Sequence, residues 1–125
     1  MATQEAVMTT QDIANRLNEL FKENKWMEAQ QELFSKDAES IEPENSPGMK
    51  SAKGLDAIGK KGEDFNNMVE EMHGGYFSEP IVAGNYIAVA MGIDCTYKGM
   101  GRQKMDEIAL YEVKDGKIVK EQFFY

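Results

Sequence analysis

Acids dominate the chemistry open to this 125-residue sequence. Asp and Glu number 22 against 14 Lys and Arg, with one histidine, His73, and one cysteine, Cys95. Glu42 stands immediately before Pro43, while Glu107 and Glu121 fall in the C-terminal half with Tyr111 and Tyr125. Carboxyl groups gathered around an apolar cavity cannot all stay ionised, because desolvation and mutual repulsion raise at least one pKa. A carboxyl group so raised trades protons near neutral pH, which is what general acid–base catalysis requires. His73 with Glu42, Glu107 and Glu121 could offer one nitrogen and three oxygens to a divalent ion. No fixed ligand spacing supports that, so neither a metal nor a cofactor is expected.

The elements that must position these residues are legible in two halves. Thr9 or Thr10 can cap a helix with Asp12 in its first turn, and Ile13, Leu17, Leu20 and Phe21 make one apolar face. Trp26, Ala29, Leu33 and Phe34 give a second, shorter helix, and Asp37 to Pro43 reads as a small strand. Pro43 to Gly54 is a loop. From Gly54 a third helix is expected to carry Ile58, Phe65, Met68, Val69 and Met72 on one face and to end at Gly74-Gly75. The second half changes to period two. Tyr76 to Ala83, Tyr86 to Tyr97, Gln103 to Val113 and Lys117 to Tyr125 read as strands of an antiparallel meander. Gly84-Asn85, Gly99 to Gly101 and Asp115-Gly116 are the turns between them. Helices followed by such a sheet define an α+β layout in one domain, residues 1–125, with 1–8 as a flexible extension.

Composition narrows the function classes. The net charge of −8 repels phosphate backbones and acidic lipid surfaces, so neither nucleic acid nor membrane is an expected partner. One cysteine allows no intrachain disulfide, and Met1 to Thr10 lacks the basic and apolar regions of a signal peptide. The longest apolar stretch, Tyr86 to Ile93, is too short to span a bilayer. A cytoplasmic protein is the expectation. Thiol proteases, zinc-cluster proteins and P-loop enzymes do not fit these residues.

Phe34-Ser35-Lys36-Asp37-Ala38 before the first strand, Gly54 to Ile58 opening the third helix, and Tyr111-Glu112-Val113-Lys114-Asp115-Gly116-Lys117-Ile118 near the end carry a resemblance. From about Thr9 to Tyr125 the chain resembles the nuclear transport factor two-like superfamily, and within it the SnoaL-like relatives of polyketide cyclases and ketosteroid isomerases. The resemblance implies an α+β cone, with N-terminal helices packed in the concave face of a strongly curved, mainly antiparallel sheet. It also implies an apolar pocket at the wide end and a homodimer formed through the outer sheet face.

Alternation on Tyr86 to Tyr97 sets a bulky face, Ile87, Val89, Met91, Ile93 and Cys95, against a small one, Ala88, Ala90, Gly92, Asp94 and Thr96. The bulky face should line the cavity. On Gln103 to Val113 both faces are mixed, and a register slip of one would leave Glu107 and Glu121 at the surface beside Lys104 or Lys120. The resemblance to the isomerases places Glu107, Ala109 and Tyr111 inward, then Val119, Glu121, Phe123 and Tyr125. His73 shares parity with Gly75 and Phe77 and falls inward too.

The resemblance also makes Glu42, the acid before a proline, the general base. It would take a proton α to a carbonyl while Tyr125, or protonated Glu107 or Glu121, donates to the enolate and His73 shuttles the proton or orients Glu42. Asn18, Val89, Met91, Ile93, Tyr111 and Phe123 would bind the substrate. Two departures speak against steroid isomerisation: no tyrosine stands on the first helix, where Asn18 is nearest, and the oxyanion acid of the isomerases falls at Ala109. The expected function is thus that of a SnoaL-like small-molecule-binding protein whose apolar pocket carries carboxylates; if it is an enzyme, it is an isomerase, cyclase or dehydratase of a small apolar carbonyl compound. Its alternative is a non-catalytic module that binds a hydrophobic ligand or dimerises.

Overall fold

The computed structural model describes residues 7–46 and 48–125. Helix α1, Thr10–Lys22, starts at a reciprocal cap: the Asp12 N–H donates to the Thr9 hydroxyl and the Thr9 N–H to the Asp12 carboxylate. It buries Ile13, Ala14, Leu17, Leu20 and Phe21. Asn24 turns the chain at φ 58°, and α2, Trp26–Leu33, runs directly into β1, Phe34–Ile41. After the loop come β2, Ala52–Lys53, and α3, Leu55–Met68. Gly54 precedes α3 at φ 91°, a conformation that suits glycine, and its N–H bonds the Ala38 carbonyl at 2.8 Å.

The remaining strands are β3, Val69–Phe77; β4, Ile81–Ala83; β5, Tyr86–Tyr97; β6, Gly101–Lys114; and β7, Lys117–Phe124. They assemble in the order β2-β1-β7-β6-β5-β3, with β4 also on β5. Among the described residues only β1 and β7 run parallel. Asp115 and Gly116, at φ 51° and 76°, close the β6–β7 hairpin in the doubly left-handed turn that matches strand twist. The three helices lie in the concave face of this curved sheet, an α+β cone. The core joins Ile13, Leu17, Leu20 and Leu33 of the helices to Ile87, Val89, Ala109 and Ile118 of the sheet.

Several boundaries differ from the sequence reading. β1 begins at Phe34 rather than Asp37 and ends before Glu42-Pro43. The third helix stops at Met68, and Val69 to Met72 belong to β3. An apolar spacing of three fits a helix, but it fits equally a strand carrying a bulge, and β3 shifts register between Val69 and Glu71 and again between Met72 and Gly74. Tyr76 to Ala83 is two strands, because Pro80 has no N–H to extend a ladder. Both pair with β5, and β4 joins it through the Gly84-Asn85 turn, so β4, β5, β6 and β7 form the sequential meander while β3 stands outside it. Of the expected N-terminal extension, residues 1–6 lie outside the described residues, while Met8 packs against the core. No helix among the described residues is long and apolar enough to cross a membrane.

Candidate functional site

Register determines which side chains meet inside the cone. Met91 pairs with Glu107, Ala109 with Phe123, and Tyr111 with Glu121, so these six share the concave face. Ser40 on β1 is the parallel partner of Glu121 and completes that row. Of these, Met91, Glu107, Tyr111, Glu121 and Phe123, together with residues of α1, α2 and α3, line a cavity of about 460 Å³, a size suited to a small organic ligand. One end is aromatic: Phe21 and Trp26 stack at 4.0 Å, with Phe77 edge-on to both. Polar groups concentrate on Glu42, Lys61, Glu107, Glu121 and Tyr125, all of which line the cavity.

A chain of hydrogen bonds ties most of these polar groups together. Lys61 Nζ lies 2.5 Å from Glu42 Oε2 and donates to Ser40 Oγ at 2.7 Å. Ser40 Oγ in turn donates to Glu121 Oε1 at 2.7 Å. The Tyr125 hydroxyl donates to Glu42 Oε1 at 2.6 Å and is itself bonded to Ser46 Oγ. Lys61 and Glu42 are only 11% and 6% exposed at their side chains, so the pair is held away from bulk water. The ammonium also sits 5.3 Å from the centre of the Phe123 ring.

Burial dominates the acid–base properties. It pushes the Glu107 carboxyl up to about 7, with the charges of Glu42 and Glu121 adding and Lys61 opposing. Glu121 reaches about 7 by burial as well, restrained by the Ser40 hydrogen bond and Lys61. Tyr125 rises to about 12 through burial and its bond to Glu42. Tyr111, fully enclosed, is held neutral well above the ordinary phenol range. The cavity thus holds two carboxyl groups poised near neutrality, but only Glu121 is bonded to a protein partner among the described residues.

The residues singled out from the sequence are divided by the structure. Glu42, Glu107, Glu121, Tyr111, Tyr125, Met91, Ile93 and Phe123 line the cavity. Val89 is buried in the core beside it. Asn18 points away, its amide donating to Glu79 at 2.9 Å. His73 is on the convex face, 2.7 Å from Thr96 Oγ1 and 3.2 Å from Glu71, because the β3 bulge inverts the parity that linked it to Gly75 and Phe77. It reaches neither Glu42 nor the cavity, which removes the shuttle role. Val119 lies outside too, since β7 slips against β6 between Glu112 and Val113. Among the described residues no group of three or more His, Cys, Asp or Glu is placed to hold a metal ion.

Lys61 is a cavity residue that the sequence reading passed over. The signal was present: Lys61 falls three residues after Ile58 and four before Phe65, inside the apolar stripe of α3. A cation on a buried helical face needs an anionic partner, and Glu42 and Ser40 supply its bonds.

These features place the chain in a class of α+β cones with a cavity between helices and sheet. It belongs to the SnoaL-like domain family, whose profile matches residues 8–125. A Mesorhizobium loti protein described as a SnoaL-like polyketide cyclase is similar over 94% of this chain and all of its own, with 35% identity and a TM-score of 0.85. A protein of ketosteroid isomerase-like fold from Catenulispora acidiphila, solved in complex with trimethylamine, shares the fold at 17% identity and a TM-score of 0.65, covering 94% of this chain and 87% of its own. TerC, co-crystallised with polyporic acid, does so at 16% identity and a TM-score of 0.71, covering 93% and 90%. No curated protein sequence matches the chain.

Proposed function

We propose that the protein binds a small, largely apolar carbonyl compound in the cavity and moves a proton on it, as an isomerase, cyclase or dehydratase that uses its own side chains as acid and base. The observation that carries this reading is Glu107, a carboxyl group walled by apolar side chains and poised near pH 7. Structures of similar fold that hold small molecules support a ligand-binding use of such a cavity.

The geometry redistributes the roles expected from the sequence. Both oxygens of Glu42 are engaged, one by Lys61 and one by Tyr125, so Glu42 orients the polar end rather than taking the proton. Glu107 takes the α-proton. Lys61 gives one hydrogen to Glu42 and one to Ser40, and its third remains for the oxygen on which negative charge develops. Return of the proton from Glu107 to another carbon isomerises the substrate; loss of a β-hydroxyl group with that proton dehydrates it. A second copy of the chain against the convex sheet face completes the reading, because the register partners Ile108 and Phe124 stand 44% and 47% exposed there. Sedimentation of Ile108→Asp beside the native chain tests that part.

Carbon-13 NMR titration of the glutamates, assigned with Glu107→Gln, tests the central claim. A panel of enolisable ketones in D2O, followed by proton NMR, reports the chemistry. Glu107 should titrate near pH 7, and Glu107→Gln should lower deuterium uptake by roughly 100-fold or more. An ordinary Glu107 pKa, or uptake indifferent to the substitution, would return the protein to the non-catalytic class of ligand binders.

A further inference from the structure

The wall contributed by α2 carries a polar group that proton transfer leaves unused. Gln30 lines the cavity one turn after Trp26, among the apolar residues Ala29 and Phe34. Its Oε1 is shut off from solvent and accepts no hydrogen bond, the one buried side-chain nitrogen or oxygen so placed among the described residues. Native proteins satisfy nearly all such atoms, and this one is turned into the wall, so its residue gains a bond when the amide swings toward an occupant of the cavity. The terminal amide turns about its last torsion with little resistance and can present either its oxygen or its N–H groups.

We propose that Gln30 is the specificity-determining residue of the cavity, bonding a second polar group on the substrate, a hydroxyl or N–H. It does so on the helical wall, while the carbonyl lies against Lys61 and Glu107. The assignment rests on the proposed use of the cavity for a carbonyl compound. The stacked pair Phe21 and Trp26, with Phe77 edge-on, gives the body of the ligand a flat apolar surface, which suits a ring. The substrate class is therefore a small ring ketone bearing a hydroxyl or amine remote from its carbonyl, rather than a bare hydrocarbon ketone.

Isothermal titration calorimetry with α-tetralone and its ring-hydroxylated analogues tests this on the native chain and on Gln30→Leu. At least one hydroxytetralone should bind the native protein roughly tenfold more tightly than α-tetralone. Gln30→Leu should lose that preference, bind α-tetralone at least as well as the native chain, and melt no lower, since the substitution removes an unsatisfied group. Gln30→Met provides the same comparison should the leucine variant fold poorly. Equal binding of all tetralones, no binding of any, or a preference that survives the substitution overturns the proposal. The Glu107 titration needs no ligand, so it fails or succeeds independently of the tetralone preference.

Discussion

Lys61 Nζ lies 2.5 Å from Glu42 Oε2, and this contact decides what each acid in the cone can do. Glu42, the residue that sequence logic favours as a base, is fixed as an acceptor between an ammonium and the Tyr125 hydroxyl. Glu107, without such a partner among the described residues, keeps the freedom to gain and lose a proton. One helix-borne cation therefore sorts the carboxyl groups into those tied into the hydrogen-bond chain and one, Glu107, left free to face the cavity.

Removing that cation should cost more than removing an ordinary surface charge. In Lys61→Met, Glu42 loses its ion pair and Ser40 a donor, while all remain enclosed. Breaking a buried pair by deleting one partner costs about 3–5 kcal/mol, and urea unfolding at pH 8 should read a loss of that order. Adding Glu42→Gln should recover part of it, because no stranded charge is left there. A double variant no more stable than Lys61→Met would show that the two side chains are not coupled.

Ser40 relays this arrangement to Glu121. It is fully buried and bonded both to Lys61 and to the Glu121 carboxyl. Ser40→Ala removes the hydrogen bond that restrains the Glu121 pKa, so Glu121 should titrate above about 7 and the fold should lose about 1–3 kcal/mol. NMR titration of Glu121 in the variant measures the first, and urea unfolding the second.

Stability should fall as pH rises through the neutral range. Glu107 and Glu121 have folded values near 7 against an ordinary 4.5, so between those limits the folded chain holds protons that the unfolded chain has released. Unfolding then releases protons, and raising the pH favours it until the curve levels above about 7. Glu32 and Asp94 act oppositely: the hydrogen bonds of Arg16 and Arg102 hold their carboxyl groups low, and their contributions fade as pH drops below the ordinary carboxylate value. The expected maximum therefore lies near about pH 5. Glu107→Gln should flatten the alkaline slope, matching the native chain at pH 5 and exceeding it by about 2 kcal/mol at pH 8. Chemical denaturation at several pH values checks both ends.

What the sequence made legible, and what it hid, follow from the same periodicities. The face of α1 and the alternation of β5 depend on local repeats, and both elements stand where those repeats put them. The cone and family followed from longer stretches, such as the run from Tyr111 to Ile118 that forms the β6–β7 hairpin. Bulges were invisible because one inserted residue changes no composition, yet it carries His73 to the convex face and Val119 out of the inward set. Lys61 was hidden differently. Charged residues in a helix are usually solvated, and only its place between Ile58 and Phe65 distinguished it. Gln30 gave no signal at all, since an orphaned oxygen is a property of packing and not of residue type.

The glycines at the β3–β5 junction allow a comparison between two kinds of crowding. The Tyr76 ring lies across its register partner Gly92 and donates to the Asp106 carboxylate at 2.5 Å, so a Cβ at Gly92 would run into the ring. A Cβ at Gly75 would instead lie 2.7 Å from the Gly92 carbonyl oxygen, which is backbone within the ladder. A ring can swing away from a convex face at the cost of one exposed hydrogen bond, whereas a strand can yield only by distorting its neighbours. Gly75→Ala should therefore destabilise by about 2–3 kcal/mol and Gly92→Ala by about 1 kcal/mol. Tyr76→Ala should relieve the second loss and leave the first, because it empties the space above Gly92 without moving the β5 backbone. Thermal unfolding of the three single variants and the two doubles measures this difference; equal costs for the two alanines, or equal relief of both by Tyr76→Ala, would mean that the strand yields as readily as the ring.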